Sequence, residues 1–88
     1  MKIKSGFLLR EVAGSFVVVA IEDKAKEFNG LINLNETGAF IWKQLEKDTD
    51  ENAVVAALLR EYDVTEEVAR QSVNEFVTKL RDTKLIDE

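Results

Sequence analysis

Residues 31–45 read Leu-Ile-Asn-Leu-Asn-Glu-Thr-Gly-Ala-Phe-Ile-Trp-Lys-Gln-Leu, and the period of the hydrophobic pattern changes within this stretch. Residues 31–34 form a short apolar run that is typical of a β-strand. The apolar residues after it recur at the spacing of one helical face, at Gly38, Ile41, Trp42 and Leu45. Asn35 is a favourable N-cap between the two patterns, and Glu36 suits the positive end of a helix dipole. The stretch therefore predicts a strand that passes into a helix at Asn35.

Two further strands are predicted upstream of this junction. The runs 7–12 and 15–21 are rich in β-branched and aromatic residues, and they flank Ala13-Gly14. A glycine in so short a connection supplies the positive φ that a hairpin turn needs. The second run is almost uniformly apolar and is typical of a central strand. A charged segment, residues 22–27, is predicted to loop outward before the third strand. The result is a three-stranded antiparallel meander over about residues 7–34, with the first and third strands at its edges.

Two more helices are predicted downstream, which makes three in all, at about residues 36–47, 51–62 and 66–83. Asp50 and Thr65 are good N-caps for the second and third helices, and Glu66-Glu67 lies in the first turn of the third. The apolar faces of these two helices comprise Val55, Leu58, Leu59 and Tyr62 in the second, and Ala69, Ser72, Val73, Phe76, Val77 and Leu80 in the third. Leu85-Ile86 is expected to fold back and close the core. We predict one α+β domain over residues 1–88.

Composition excludes several kinds of chemistry. The 88 residues include no Cys, His or Pro, and 12 basic against 17 acidic residues give a net charge of −5. Disulfides, thiolate nucleophiles and histidine-dependent catalysis are therefore absent. No apolar run reaches the roughly 18 residues of a membrane span, and no signal peptide is recognisable, so we expect a cytoplasmic protein. We expect no cofactor and no bound metal.

Three alternative functions remain to be weighed. The second and third helices resemble a helix-turn-helix, which would indicate a winged-helix DNA-binding regulator. However, the acidic pair Glu66-Glu67 occupies the turn that would enter the major groove. The same pair, or Asp48 with Asp50, could serve carboxylate catalysis, but acids at helix starts are sufficiently explained by the helix dipole. We therefore expect a protein without enzymatic activity. A self-associating structural module would use an exposed strand edge to pair with its own copy, as a dimer or by strand swapping, so we expect either a monomer or a homodimer.

The third strand is the most promising functional feature. It would be an edge strand, and residues 31–34 contain no Lys or Pro to prevent pairing with another chain. Such an edge is either covered, by a terminus or a dimer partner, or used for strand addition. Ser72 is a small hydroxyl on the otherwise apolar face of the third helix. It either permits close packing or lines a groove beside the strand. Trp42 and Phe76 are expected to pack in the core.

The order of the sequence blocks resembles the PqqD-like family, which comprises peptide-binding proteins of pyrroloquinoline quinone biosynthesis and related peptide-modifying pathways. The resemblance is carried by residues 30–38 (GLINLNETG), 50–55 (DENAVV), 61–64 (EYDV), 73–77 (VNEFV) and 85–86 (LI). The first two strands share only the general pattern.

This resemblance implies a winged-helix-like fold in which three N-terminal strands pack on three helices. Family members act as recognition elements for ribosomally made peptides. The leader segment of the precursor adds as a strand to the third strand, lies beside the third helix, and is presented to a modifying enzyme, often a radical S-adenosylmethionine maturase. Carried over to this chain, the peptide-binding residues are Gly30, Leu31, Ile32, Asn33, Leu34, Ala69, Ser72, Val73, Phe76 and Lys79. At Ser72 the chain departs from many members, which carry an acidic residue there.

Overall fold

A computed structural model of the chain describes residues 1–21 and 32–88. In chain order its elements are β1 (Lys2–Ile3), β2 (Phe7–Val12), β3 (Ser15–Ala20), β4 (Ile32–Leu34), α1 (Glu36–Gln44), α2 (Glu51–Glu61), α3 (Glu66–Asp82) and β5 (Ile86–Asp87). The three predicted strands and three predicted helices are therefore confirmed where the structure describes them. The predicted loop at 22–27 lies outside the described residues.

Each helix begins at the residue that the sequence predicts. Asn35, Asp50 and Thr65 have extended backbones, and their side chains accept the N–H groups of Gly38, Ala53 and Val68 at 2.7, 2.8 and 3.2 Å. These bonds satisfy donors that a helix start otherwise leaves free. The helix ends are less well predicted. In particular, α1 ends at Gln44, three residues before the predicted end, because the N–H of Glu46 turns back to the carbonyl of Lys43 at 3.3 Å.

The main sheet is antiparallel, with strand order β2-β3-β4. The β2–β3 turn consists of Ala13 and Gly14, which have φ of 52° and 81°. Two successive residues with positive φ give the turn the twist that a tight hairpin requires. As predicted, β3 is central: Val18 is completely buried against the helices. Consequently β4 lies at one edge of this sheet and β2 at the other.

A second, two-stranded sheet was not predicted. In it β1 pairs with β5 in antiparallel register, Lys2 opposite Asp87 and Ile3 opposite Ile86. The chain reverses after α3 because Lys84 adopts a left-handed φ of 61°, and the N–H of Leu85 donates to the Leu80 carbonyl at 2.8 Å. This pattern of bonds is a Schellman C-cap. It buries Leu85 and Ile86, which confirms that this segment folds back onto the core.

The core lies between the sheet and the helices. Trp42 is its largest fully buried side chain, as predicted, and one apolar face of each helix surrounds it. The other fully buried large side chains are Val18, Ile41, Leu45, Val54, Val55, Leu58, Val73, Val77, Leu80 and Leu85. Within the described part of the chain, no helix is long and apolar enough to cross a membrane.

Candidate functional site

The hydrogen-bonding direction of β3 follows from one bond at its end. The N–H of Ile21 donates to the carbonyl of Gly6 at 2.8 Å, and the register places Phe7 opposite Ala20. In an antiparallel pair, hydrogen-bonded and non-hydrogen-bonded positions alternate. Val19, Val17 and Ser15 therefore direct their backbone groups toward β2. The intervening residues, including Val18 and Phe16, direct theirs toward β4.

This alternation fixes the backbone orientation of β4. Val18 is opposite Ile32 and Phe16 is opposite Leu34, so Ile32 and Leu34 direct their N–H and C=O groups toward β3. Asn33, between them, directs both backbone groups away from β3. No strand among residues 1–21 and 32–88 pairs with β4 on that side. Among residues 1–21 and 32–88, nothing pairs with the donor and the acceptor that Asn33 presents at this sheet edge, which we call the open edge of β4.

A solvent-open groove of about 320 Å³ lies beside this edge, between α1 and α3. We call it the α1–α3 groove. Its lining residues are Asn35, Thr37, Gly38 and Ile41 on one wall, and Ser72, Glu75, Phe76 and Lys79 on the other. The hydroxyl of Ser72 and the half-buried ring of Phe76 thus face the N-terminal end of α1. Along the α3 wall, Phe76 is the apolar side chain among three polar ones.

The sheet edge and the α1–α3 groove meet at Gly38. A methyl group added to Gly38 would lie 3.3 Å from Cε1 of Phe76 and 3.6 Å from Cβ of Leu34. The absence of a side chain at Gly38 therefore lets the end of β4, the start of α1 and the middle of α3 come together. If a peptide paired with β4, its side chains on the helix side of the sheet would lie next to this junction.

The groove carries charge of both signs. Glu75 accepts a hydrogen bond from Nε2 of Gln71 at 3.1 Å, while Lys79 contributes an ammonium group one turn further along α3. Within the described residues, no group of acidic side chains is arranged to hold a metal ion, and no buried side-chain polar atom lacks a hydrogen-bond partner. The arrangement is suited to binding an extended, partly apolar chain.

The structure distributes the predicted site residues among different environments. Ser72, Phe76 and Lys79 line the α1–α3 groove, and residues 32–34 form β4. Gly30 and Leu31 lie outside the described residues. Ala69 and Val73 are fully buried, so their side chains contribute to the core. Phe76, expected in the core, packs against the core from a half-buried position.

Sequence reasoning missed the α1 wall of the groove. Asn35 and Gly38 were assigned only to helix capping and to the apolar face of α1, and Thr37 and Glu75 were not considered as lining residues. A glycine on an otherwise bulky helical face was the available signal, because such a position marks close approach of another element. Which element approaches cannot be read from local sequence.

The comparison with protein families matches residues 15–86 to the family described as coenzyme PQQ synthesis protein D (PqqD). The chain belongs to the PqqD family. The match includes both walls of the α1–α3 groove and the whole of β4. A comparison with curated proteins gave no significant match.

Two solved structures share the fold of this PqqD family member. One, described as TbiB1 in complex with the TbiA(beta) leader peptide, is 21% identical with a TM-score of 0.77, covering 99% of this chain and 95% of that one. The other, lasso peptide synthetase B1 complexed with the leader peptide, is 20% identical with a TM-score of 0.72, covering 93% and 91%. The predicted α+β fold is confirmed.

Proposed function

We propose that this protein captures the leader segment of a ribosomally made precursor peptide by strand addition to β4. Membership of the PqqD family supports a role in peptide maturation, and both similar structures are described as leader-peptide complexes. The single observation that carries the proposal is the junction at Gly38, where the open edge of β4 meets the α1–α3 groove. At this junction a peptide strand could pair with the backbone of β4 and place its side chains in the groove.

In the proposed complex, one peptide residue exchanges two backbone hydrogen bonds with Asn33. The peptide residues opposite Ile32 and Leu34 then direct their side chains to the helix side of the sheet, toward Phe76. Gly30 and Leu31, which lie outside the described residues, are proposed as further peptide contacts from the resemblance to the family. Lys79 and Ser72 would contact the peptide from α3. Val73 and Ala69 are not proposed as contacts in this groove, since both are fully buried.

The energetics require apolar anchors as well as backbone pairing. About four to six backbone hydrogen bonds, each contributing a net 0.5–1.5 kcal/mol, stabilise the complex by only a few kcal/mol. Ordering a flexible peptide costs a comparable amount. Apolar side chains entering the groove, at about 25 cal/mol per Å² of buried area, must supply the difference. We expect a Kd in the low micromolar range or below, equivalent to about −8 kcal/mol.

The proposed role is one of binding and presentation. With no His in the chain, Ser72 has no imidazole to act as its general base, and with no Cys the groove has no thiolate nucleophile. We propose that the protein itself is non-catalytic, works in the cytoplasm, and delivers the precursor to a modifying enzyme, of which a radical S-adenosylmethionine maturase is one candidate. The DNA-binding alternative lacks support, because Glu66 and Glu67 occupy the first turn of α3.

Titration of a labelled leader peptide from a precursor encoded beside this protein tests the proposal. In Ser72→Arg a long cation would fill the α1–α3 groove, and we expect affinity to fall by about tenfold or more. Ser72→Ala is the matched control and should bind within about twofold of the wild type. Retention of affinity in Ser72→Arg, with an unchanged melting temperature, would refute the groove model. Mass measurement across a dilution series separates peptide capture from self-association through the same edge.

A further inference from the structure

A second, smaller pocket continues from the α1–α3 groove toward the start of α3. Its volume is about 140 Å³, and we call it the Tyr62 pocket. It is lined by Thr37, Leu58, Tyr62, Val64, Val68, Ala69 and Ser72. Thr37 and Ser72 also line the α1–α3 groove, so the two depressions share a wall at the N-terminal end of α1. A peptide that continued past the Leu34 end of β4 along the α1–α3 groove would therefore reach the second depression.

The Tyr62 pocket is apolar and only partly covered. Leu58 and Ala69 form a fully buried floor, while Val64 and Val68 at the rim are 38% and 49% exposed. They are two of the four large apolar side chains that are exposed in the described part of the chain. The ring of Tyr62 is held edge-on to Phe40, with centroids 5.5 Å apart. The pocket is therefore a fixed apolar surface to which an aliphatic or aromatic side chain can bind.

An acidic residue directly precedes four of the residues that line this pocket. Glu36 directly precedes the lining residue Thr37, and Glu61 directly precedes Tyr62. Burial, followed by the carboxylates of Glu36 and Glu61, raises the pKa of Tyr62. Neither forms an ion pair with any other described residue. Asp63 precedes Val64 in the α2–α3 connection, and Glu67 precedes Val68. Lys79, the basic residue of the groove, lies at the opposite end.

The position of Glu61 is not explained by helix stability. It is the last residue of α2, where a negative charge faces the negative end of the helix dipole. By contrast, Glu36 in the first turn of α1 is in the favourable position. The exposed carboxylate of Glu61, next in sequence to the pocket residue Tyr62, is therefore available to a positively charged ligand.

We propose that the Tyr62 pocket binds an apolar side chain of the captured peptide, and that a Lys or Arg beside that side chain pairs with Glu36 and Glu61. The inference rests on the proposed function, since it extends the same bound peptide beyond its pairing with β4. It assigns the peptide a chemical class. The peptide has an apolar segment that pairs with β4 and, beyond the Leu34 end of β4, an apolar residue with a Lys or Arg beside it. Charge complementarity and continuity with the α1–α3 groove specify this occupant.

Selection of peptides tests the inference without knowledge of the natural precursor. A displayed library of random peptides, long enough to span both pockets, is selected on the wild-type protein. We expect enriched sequences to share an alternating apolar segment and, on one side of it, an apolar residue next to Lys or Arg. Selection on the double variant Glu36→Gln, Glu61→Gln should retain the apolar segment and lose the basic residue.

Affinities of one selected peptide then separate the two pockets. Val68→Lys should weaken binding at least about fivefold, because it removes apolar contact and opposes the peptide cation. Val12→Lys, at the still more exposed end of β2, should leave binding unchanged. Each Glu→Gln change should cost about two- to fivefold at low salt and less at high salt. Glu61→Gln should leave the melting temperature unchanged or slightly raised, contrary to the loss that a structural role would produce.

The outcomes distinguish failure of this inference from failure of the proposed function. If Ser72→Arg abolishes binding while Val68→Lys and the double Gln variant bind like the wild type, the Tyr62 pocket is not used and only the present inference falls. If no peptide is enriched, or if the selected peptides bind Ser72→Arg normally, strand capture beside the α1–α3 groove is wrong, and the inference falls with it.

Discussion

Substitution of Asn33 by proline tests strand addition directly. The backbone N–H of Asn33 points away from β3, so proline at this position removes no hydrogen bond of the sheet. The preceding residue, Ile32, lies in a strand and therefore already has the extended backbone that a following proline requires. The substitution thus removes one donor from the open edge and places a ring in the path of an added strand.

The size of the effect follows from what the peptide loses. A peptide residue opposite Asn33 would exchange two backbone hydrogen bonds with it, and proline eliminates the one that Asn33 donates. The net loss of that bond is about 0.5–1.5 kcal/mol, and an acceptor left unsatisfied in the interface raises the loss to about 1–3 kcal/mol. Leader-peptide affinity should therefore fall by roughly 5- to 150-fold. The folded protein should change in stability by no more than about 1 kcal/mol.

Two controls make the assay specific to the β4 edge. Asn33→Thr retains the N–H and should bind the peptide like the wild type. Glu11→Pro removes an outward N–H from the opposite edge, because β2 bonds to β3 through Leu8, Arg10 and Val12. Binding is measured by fluorescence anisotropy of a labelled leader peptide, and folding by thermal unfolding. Wild-type affinity in folded Asn33→Pro, or an equal loss in Glu11→Pro, would refute strand addition to β4.

Three further predictions concern stability. Asn35→Ala removes the acceptor of the 2.7 Å bond from the N–H of Gly38, so unfolding free energy in urea should fall by about 1 kcal/mol, with Asn35→Asp as the control that stays near the wild type. Val73→Ala should reduce the unfolding free energy by about 2 kcal/mol and so lower the melting temperature by about 8–15 °C. Peptide affinity should stay within about twofold of the wild type at temperatures where the variant is folded. A large loss of affinity would instead show that Val73 contacts the peptide. Arg81 hydrogen-bonds the exposed Glu88 carboxylate and lowers the pKa of Glu88 below 4.5. The stabilisation of the folded state by this pair is therefore present above this pH and disappears as the pH falls below it. Thermal unfolding from neutral pH to about pH 3 should therefore show a smaller loss of stability in Glu88→Gln than in the wild type, and equal losses would contradict the role of this pair.

Local signals predicted most of the fold. Asn35, Asp50 and Thr65 were identified as N-caps because a cap bonds to an N–H only three residues away. The position of β4 at a sheet edge followed from its short length and from the apolar, central character of the preceding strand. The pairing of β1 with β5 could not be predicted, since Lys2–Ile3 is too short for a pattern and its partner lies at the far end of the chain.

The candidate site was only partly predictable for the same reason. Ser72 and Val73 are neighbours on one helical face, yet Ser72 lines both pockets while Val73 is completely buried. Helical periodicity locates the face that is directed inward, but it does not show where neighbouring elements leave that face uncovered. This depends on the position of α1, whose glycine at position 38 admits the ring of Phe76.

The sequence by itself determined the order of elements, the helix starts, the absence of thiol and imidazole chemistry, and an edge strand free of proline and lysine. These properties depend on residue type or on interactions within one or two helical turns. Only the tertiary structure decided that Asn33 directs its backbone groups outward and that α1 provides the second wall of the groove. It also decided that a second, apolar pocket continues from this groove. Each of these depends on contacts between segments distant in the chain, which the hydrophobic pattern brings together but does not orient.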